Sequence, residues 1–397
     1  MSTEHEDRWR RAQDALRARG LDGLLVWSRG GGALDGFFDV FYLSGHYTYW
    51  PLMPDIPLPG SVPGAGRSHA AFVLPADGEP TLVVDVPDWR RDRVGVADVR
   101  YATDLPRVVA EVLAERDLRG GALGLAGGDV IVASLDRRVR TLLAGTTLVA
   151  ADDLLQRLRY LKSPAELDAL RHAGEVGTTV VDAILERALR PGTREREAVA
   201  AGFAAGVAGG AVLWDALVSS GPHSHELAHG RLPSWTDRTI ERGDLFHLDC
   251  VGMVDGYLFD VARTVVVGGR PDDRQLRLLE GVLGAVEAGA ATVGDGVASR
   301  DVYSVVRGGL AEAGLVGADG EPTFGYPGSY SHGHGLGLAT DEPFLLPDVS
   351  WTLEPGICLT VEAMAGHEGV GSAVFEHDLV ITTDGVEVLD GSPTRHW

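Results

Sequence analysis

The chain has 397 residues, of which 45% are hydrophobic and 23% are charged, and this ordinary globular composition excludes disordered and fibrous proteins. The formal net charge of −22 argues against a general nucleic-acid-binding protein, because phosphate binding requires a basic surface. No apolar run approaches the roughly 18 residues of a membrane span, and the acidic start is unlike a signal peptide. Because only two cysteines occur, we expect no disulfide framework and a cytoplasmic protein without a membrane partner.

The N-terminal part alternates helix-like and strand-like segments, which predicts an α/β domain over residues 1–155. An amphipathic stretch predicts a first helix that ends at Gly20, and the apolar run that follows predicts a strand. A hairpin is expected around Asp77-Gly78. Further along, the spacing predicts a helix, a strand and a second helix, over 105–115, 122–125 and 135–143.

A second domain is predicted for residues 156–397, since one core seldom exceeds about 250–300 residues. Ser163-Pro164-Ala165-Glu166 has the pattern of a capping box with proline at the first helical position, and the helix should end near Leu189. Strand-like segments then alternate with predicted helices at 195–208, 272–290 and 299–313. This combination of strand-like segments and helices predicts an α+β domain.

The strongest chemical signal is the segment from Phe246 to Thr264, in which two apolar strands flank a turn at Val254-Asp255-Gly256. We expect a β-hairpin that brings Asp249 and Asp260 together across its strands. Two ionised carboxylates on neighbouring strands repel each other unless a cation lies between them. The pair therefore indicates a metal site, although a solvated hairpin is an equal alternative on this evidence alone.

Three later residues strengthen the metal hypothesis. His334 lies in the glycine-rich run 331–338, which suggests a close approach of the backbone to a site. Glu362 follows an apolar strand, and Glu376 begins another. A glutamate within an apolar strand is costly to bury without a partner. Together with the two aspartates, these residues form a set of four carboxylates and one imidazole suited to a pair of divalent ions.

These residues resemble the superfamily of prolidase, aminopeptidase P, creatinase and methionine aminopeptidase. The order Asp, Asp, His, Glu, Glu matches, as do the eleven-residue step from Asp249 to Asp260 and the pattern Gly333-His334-Gly335. Residues 161–167 resemble the opening of its catalytic domain, and residues 42–45 resemble a part of its N-terminal domain. The resemblance covers most of the chain and implies an α/β N-terminal domain followed by an α+β pita-bread catalytic domain.

The resemblance also implies roles for the five acidic and histidine residues. Asp260 and Glu376 would bridge two divalent metal ions, Asp249 would bind one of them, and His334 with Glu362 would bind the other. Glu362 would in addition shuttle the proton of the attacking water. Manganese, cobalt, iron and zinc all suit this ligand set.

A further histidine is implied before the hairpin, in a segment that follows Ser220-Gly221. His229 lies nearest to that place and would hydrogen-bond the substrate or the tetrahedral intermediate. His223 and His225 are the alternatives, as loop residues or substrate contacts.

The sequence departs from the peptidase pattern at two positions. Asp341 stands where prolidase-type peptidases carry a second histidine, and Phe375 stands where relatives commonly have an arginine just before the last glutamate. Cys250 and the run Glu376-His377-Asp378 resemble creatinase, an enzyme that lacks metal. Neither prolidase nor creatinase fits well.

Two functions follow from these departures. The first is a metal-dependent hydrolase that cleaves a C–N bond in a small or short-peptide substrate and is not a standard Xaa-Pro dipeptidase. The second is a metal-dependent lyase, similar to the dimethylsulfoniopropionate lyases of the same fold, with Asp341 as the base. A non-catalytic binding module is a third alternative, disfavoured by the intact ligand set.

Several other residues have both a structural and a functional interpretation. The aromatic stretch 37–50 is expected to lie in the N-terminal core, and the alternative is that Tyr47–Trp50 lines the site of a partner subunit in a homodimer. His247 is expected to be a hydrogen-bonded core histidine, and His332 either lines the pocket or fills space. Arg263 should pair with a carboxylate and tune the metal site indirectly. Both cysteines should be inert core thiols.

Overall fold

A computed structural model describes residues 2–30, 36–47, 66–226, 233–316, 331–341 and 343–397. The chain divides into two compact units, Met1–Arg159 and Tyr160–Trp397. Within the described ranges, no helix is both long enough and apolar enough to cross a membrane.

The first unit is a mixed six-stranded sheet with helices, in the order β4-β3-β2-β1-β5-β6. The β1–β2 and β2–β3 pairs are antiparallel, and the other three pairs are parallel. Its elements are α1 (Ser2–Ala18), β1 (Gly23–Arg29), α2 (Phe38–Ser44), β2 (His69–Pro75), β3 (Thr81–Val84), β4 (Asp98–Tyr101), α3 (Leu105–Glu115), β5 (Ala122–Ala126), α4 (Ala133–Leu142), β6 (Thr147–Ala150) and α5 (Asp152–Tyr160). The predicted α/β class is confirmed, whereas α2, β4, β6 and α5 were not anticipated.

The aromatic stretch contributes to the core of this unit as far as it is described. Phe37 and Tyr42 are buried, and the rings of Phe37 and Tyr47 meet edge to face with centroids 4.8 Å apart. The guanidinium of Arg8 lies 4.1 Å from the centre of the Tyr42 ring and donates to the Tyr42 carbonyl. Residues 48–50, which complete the expected partner-facing wall, lie outside the described residues.

The second unit contains two antiparallel sheets, each covered by a pair of helices. Its elements are α6 (Pro164–Ala188), α7 (Glu195–Ala208), β7 (Ala211–Ser220), β8 (Leu245–Val254), β9 (Tyr257–Val266), α8 (Asp273–Thr292), α9 (Ser299–Glu312), β10 (Gly335–Leu336), β11 (Thr340–Asp341), β12 (Cys358–His367), β13 (Gly371–Thr382) and β14 (Gly385–Val388). The predicted helices are all present. The expected capping box starts α6, because Ser163 accepts from the Glu166 N–H and the Glu166 carboxylate accepts from the Ser163 N–H.

The two sheets bury separate cores on their outer faces. The sheet β7-β8-β9 packs on α6 and α7, and the sheet β11-β10-β12-β13-β14 packs on α8 and α9. Strands β9 and β13 lie side by side where the sheets meet. The remaining, inner faces carry the acidic residues singled out in the sequence.

Candidate metal centre

A tight turn joins the two strands that carry the predicted aspartates. Asp255 and Gly256 have φ angles of 50° and 95°, as in a type I′ turn, whose twist matches that of the strands it joins. The resulting register places Asp260 opposite Val251, two residues from Asp249. Opposed residues of an antiparallel pair share a face, so both carboxylates project from the same face of the sheet.

The two glutamates are direct cross-strand neighbours. Glu362 on β12 pairs with Glu376 on β13, Glu362 is half-buried, and the Glu376 side chain is only 1% exposed. Like charges directly opposite each other destabilise a sheet, and burial increases the cost because water does not screen them. This arrangement calls for a positive charge between the two carboxylates.

His334 is held beside the acidic residues by an unusually close backbone contact. A Cβ atom at Gly333, whose φ is 140°, would lie 2.1 Å from the carbonyl oxygen of Thr360 on β12. The glycine predicted to mark a close approach is therefore required, although it approaches a strand and not a ligand. The Nδ1 atom of His334 lies 3.1 Å from the Gly335 carbonyl oxygen. A proton on Nδ1 donates to that oxygen, so in the neutral imidazole the lone pair of Nε2 faces the carboxylates and is available to a metal ion.

Three of the predicted ligands already form a compact group. One ligand atom from each of Asp260, His334 and Glu376 lies within 4.8 Å of the others, and His334 Nε2 is 3.5 Å from Asp260 Oδ2. In the described structure, the buried oxygens Asp249 Oδ1 and Glu376 Oε1 have no hydrogen-bond partner. Buried carboxylate oxygens that accept no hydrogen bond are available as ligand atoms for a cation.

The electrostatics of the group show the same deficit of positive charge. Burial, together with the charges of Asp260 and Glu362, raises the pKa of both Asp249 and Glu376 well above their usual range. Burial alone would lower the pKa of His334, but the hydrogen bond and the charge of Asp260 outweigh it and raise this pKa to about 9. The cluster thus retains protons where a divalent ion would otherwise neutralise it. The residues present fit a metal centre of oxygen ligands with one imidazole.

Arg263 contacts the backbone of Glu376, one of the residues of the acidic cluster. Its side chain is fully buried, and its Nη1 donates to the Glu376 carbonyl oxygen at 2.6 Å. Its Nη2 pairs with Asp390, and Nε and Nη2 donate to the Ser392 carbonyl oxygen at 3.1 and 2.9 Å. Burial would raise the pKa of Asp390, but His377 and Arg263 hold it below its usual range. The expected carboxylate partner of Arg263 is therefore Asp390.

Phe375 corrects one expectation drawn from the sequence. Its side chain is fully buried in the core beneath α8 and α9, with its ring centre 6.1 Å from that of Trp397. Neighbouring residues of a strand point to opposite faces, so Phe375 points away from Glu376 and cannot stand in for a substrate-binding arginine. The residue that precedes Glu376 on its own face of β13 is Val374.

Asp378 is a carboxylate near the centre that the sequence interpretation did not assign to it. It follows Glu376 by two residues and therefore lies on the same face of β13. It is fully buried, and its Oδ2 accepts a hydrogen bond of 3.2 Å from the backbone N–H of Asp260. The two-residue period of a strand is the signal that could have identified it.

His247 and His332 are both buried. His247, 2% exposed, hydrogen-bonds the hydroxyl of Ser372, and the Ser372 N–H donates to Ser224 Oγ at 2.9 Å. The ring of His332 packs on that of Tyr303 with centroids 5.1 Å apart, and burial lowers the pKa of His332 to about 4. The expectation for His247 is confirmed, and both interpretations of His332 stay predictions.

Both cysteines are free and buried, as expected. Burial raises the pKa of Cys250 well above its usual range and that of Cys358 to about 12, so neither forms a reactive thiolate at neutral pH.

The remaining predicted residues are less closely tied to the centre. His229 lies outside the described residues. His223 is exposed, and His225 lies on a short 3₁₀ turn with its Nδ1 3.0 Å from the Pro222 carbonyl oxygen. Asp341 is half-buried and pairs with Gly335, the residue next to His334.

Comparison with known proteins identifies the family of this chain. Residues 168–383 match the model of metallopeptidase family M24, and residues 8–161 match the creatinase/prolidase N-terminal domain. The chain belongs to metallopeptidase family M24. It is therefore a metal-dependent hydrolase with the pita-bread fold, and its family uses divalent metal ions.

Individual relatives agree with this assignment. The chain is 29% identical over 334 residues to a probable dipeptidase PepE of Mycobacterium tuberculosis, covering 81% of this chain and 84% of the relative. It is 30% identical over 241 residues to an Xaa-Pro dipeptidase of Pyrococcus horikoshii, covering 60% and 64%. A creatinase of a Bacillus species is 29% identical over 323 residues, covering 77% and 72%.

Solved structures share the whole architecture. The prolidase of Pyrococcus horikoshii superposes with a TM-score of 0.76 at 21% identity, covering 98% of this chain and 99% of that one. The dipeptidase PepE of Mycobacterium ulcerans superposes with a TM-score of 0.76 at 26% identity, covering 99% and 97%. The first of these similarities concerns the fold alone. None of these relatives is a lyase, so the lyase alternative gains no support.

Proposed function

We propose that this chain hydrolyses a C–N bond in a small, peptide-like substrate with the help of two divalent metal ions. The observation that carries the proposal is the directly opposed pair of the half-buried Glu362 and the buried Glu376, which adjoins Asp260 and His334. Two glutamates with this geometry repel each other unless protons or a cation neutralise them, and the neighbouring carboxylate and imidazole suit a divalent cation.

The proposal assigns a role to each residue of the centre. Asp260 and Glu376 would bridge the ions, Asp249 would hold one, and His334 with Glu362 would hold the other. When bound, the ions would supply Lewis-acid activation of a water molecule and of the scissile carbonyl. Glu362 is half-buried, so its carboxylate can take the proton of the attacking water and pass it to the leaving nitrogen.

The relatives suggest peptides as substrates, and the site suggests a limit on them. The Xaa-Pro dipeptidases among the relatives are named for a substrate with a free carboxylate next to the reacting bond. Arg263 adjoins the ligands but is fully buried and already bound to Asp390. We therefore propose a peptide-like substrate that need not carry a carboxylate at that subsite.

Hydrolysis can be tested by isotope labelling. Turnover of an active peptide substrate in water enriched with oxygen-18 should place one labelled oxygen in the carboxyl product. A lyase would incorporate none, so unlabelled product would overturn the proposal. Metal analysis of the purified protein supplies the second readout, with about two divalent ions per chain expected. A protein that neither retains nor takes up divalent ions would point instead to a binding module.

The proposal also covers the metal, the assembly and the location. Manganese, cobalt, iron or zinc would serve, because carboxylates with one imidazole accept all four. We propose a cytoplasmic homodimer, a location consistent with the two free, buried cysteines. Activity ratios after reconstitution with each metal, light scattering and cell fractionation test these three points separately.

A further inference from the structure

Strand β9 has a buried outer edge that needs hydrogen-bond partners. All ten of its residues are buried, and it is the last strand of the sheet β7-β8-β9. A buried backbone N–H without an acceptor destabilises the fold, so each outward-facing N–H must find one. Leu258 N donates to the Gly337 carbonyl oxygen at 2.9 Å. Asp260 N donates to Asp378 Oδ2 at 3.2 Å.

Two further contacts hold β9 beside β13. The hydroxyl of Thr264 donates to the Val374 carbonyl at 3.0 Å and accepts from the Val374 N–H at 2.8 Å. The guanidinium of Arg263 donates to the Glu376 carbonyl oxygen at 2.6 Å. These contacts connect the strands at residues 263 and 264. The contact to Asp378 connects them at Asp260 itself.

Apart from the hydrogen bond to Asp260, the Asp378 carboxylate makes few polar contacts in the described structure. It is fully buried, its Oδ1 has no hydrogen-bond partner among the described residues, and its Oδ2 binds the Asp260 N–H. Its own backbone N–H donates to Asp390 at 3.0 Å, which ties this point of β13 to the partner of Arg263. The cost of burying this carboxylate is offset by a contact with the strand that carries Asp260.

We propose that Asp378 is a positioning residue for the metal centre. By accepting the N–H of Asp260 it fixes the backbone of that residue relative to β13, and so sets the separation between the Asp260 and Glu376 carboxylates. Those two carboxylates come from different sheets, and no strand pairing between β9 and β13 fixes their distance. The inference rests on the proposed function, in which Asp260 and Glu376 bridge two ions.

Two substitutions of Asp378 separate the effect of its acceptor oxygen from the effect of its side-chain size. Asp378→Asn keeps an oxygen that can accept the Asp260 N–H, whereas Asp378→Leu has a similar size and no acceptor. Asp85→Leu is the matched control, because Asp85 is likewise buried and accepts backbone N–H groups, those of Arg67 and His69 at 2.7 and 3.1 Å, in the first unit, which carries none of the predicted ligands. Each full-length variant is freed of metal with a chelator, checked for folding by circular dichroism, and titrated with Mn²⁺.

Titration calorimetry should show that Asp378→Leu binds the second Mn²⁺ ion with an affinity roughly 10- to 100-fold lower than that of the wild type. A loss of this size is typical when a residue that orients a metal ligand is removed. Electron paramagnetic resonance reports the spin coupling between paired Mn²⁺ ions, which a purely structural role would leave unchanged. We expect this coupling to change in Asp378→Leu and to match the wild type in Asp378→Asn and Asp85→Leu.

Each outcome decides the inference. Wild-type affinity and coupling in a folded Asp378→Leu protein would overturn it, and so would altered coupling in Asp378→Asn, which keeps the acceptor. Should the leucine variant not fold, Asp378→Ala, which also lacks the acceptor, takes its place in the same comparison. If the wild type itself binds no coupled pair of Mn²⁺ ions, the proposed function fails first. That result is distinguishable, because it appears before any substitution is made.

Discussion

Replacement of Glu376 by glutamine should stabilise the metal-free protein at alkaline pH. Burial raises the pKa of Glu376 above its value in the unfolded chain, which is about 4.3. A group of this kind stabilises the fold fully below the unfolded pKa, and its contribution is lost as the pH rises through the folded pKa. Each unit of elevation is worth about 1.4 kcal/mol. Glutamine has the same shape and no charge to bury, so it avoids this loss.

The same reasoning predicts how metal and pH combine. A ligand at one hundred times its Kd stabilises a protein by about 2.7 kcal/mol, or ~5–10 °C in Tm for a unit of this size. Protons compete with metal ions for the carboxylates whose pKa is raised. The Mn²⁺-induced rise in Tm should therefore be larger at pH 8 than at pH 5.5. In Glu376→Gln this rise should be small at both values, because a bridging charge is missing.

Scanning calorimetry of both proteins, with and without Mn²⁺, tests this prediction. Glu354→Gln is the control, because Glu354 is exposed and its substitution should change neither the Tm nor its metal response. The reasoning is refuted if metal-free Glu376→Gln melts below the metal-free wild type at pH 8. It is also refuted if Mn²⁺ raises the wild-type Tm equally at the two pH values.

Three further predictions concern single residues. Asp260→Ala should retain less than a tenth of wild-type activity on any substrate the wild type hydrolyses, since a bridging carboxylate serves both ions; greater turnover contradicts the assignment. His229→Ala should keep its metal content and lose ~10²–10⁴-fold in kcat, so metal loss would show that the histidine roles are wrong. Arg263→Gln should destabilise the protein by ~3–5 kcal/mol in urea unfolding, because the buried Asp390 loses its arginine partner and keeps, among the described residues, only His377 as an ion partner; a loss under 1 kcal/mol would contradict this.

The placement of Asp249 and Asp260 on one face of the β8–β9 hairpin could be predicted because its cause is local. A turn of two left-handed residues at Asp255 and Gly256 fixes the register, and the register fixes the face of both aspartates. The capping box at Ser163 is local in the same way, and the structure reproduces it. Glu376 was identifiable because a charged residue in an apolar strand has few structural explanations.

Contacts between the sheets could not be predicted from the sequence. Asp378 serves a backbone N–H that is 118 residues away along the chain, and no spacing in the sequence encodes that contact. The interpretation of Phe375 failed for a simpler reason, since it compared positions along the chain without the alternation of strand faces. Gly333 shows an intermediate case, in which the sequence indicated a close approach but not the strand approached.

Recognition of a free carboxylate is the feature by which this enzyme should differ from dipeptidases. Arginine is best suited to that task, because its guanidinium offers two parallel hydrogen bonds. Arg263 is fully buried and bound to Asp390, so it is not available to a substrate. Val374, on the face of Glu376, has no side-chain donor. Asp341, beside His334 in the β10–β11 pair, supplies a carboxylate that would repel another.

We therefore predict that the Mn²⁺-loaded enzyme hydrolyses Xaa-Pro dipeptides poorly, with kcat/KM below the ~10⁴ M⁻¹s⁻¹ typical of enzymes on their own substrates. The matched substrates are the same dipeptides with an amide in place of the C-terminal carboxylate, which remove the repulsion without changing the reacting bond. The amides should be cleaved faster than the acids, and Asp341→Asn should narrow the difference between them. Because the repulsion acts on substrate binding, the change should appear in KM more than in kcat. Dipeptide acids cleaved at or above that rate, or acids preferred over amides, would show that another cation binds the carboxylate.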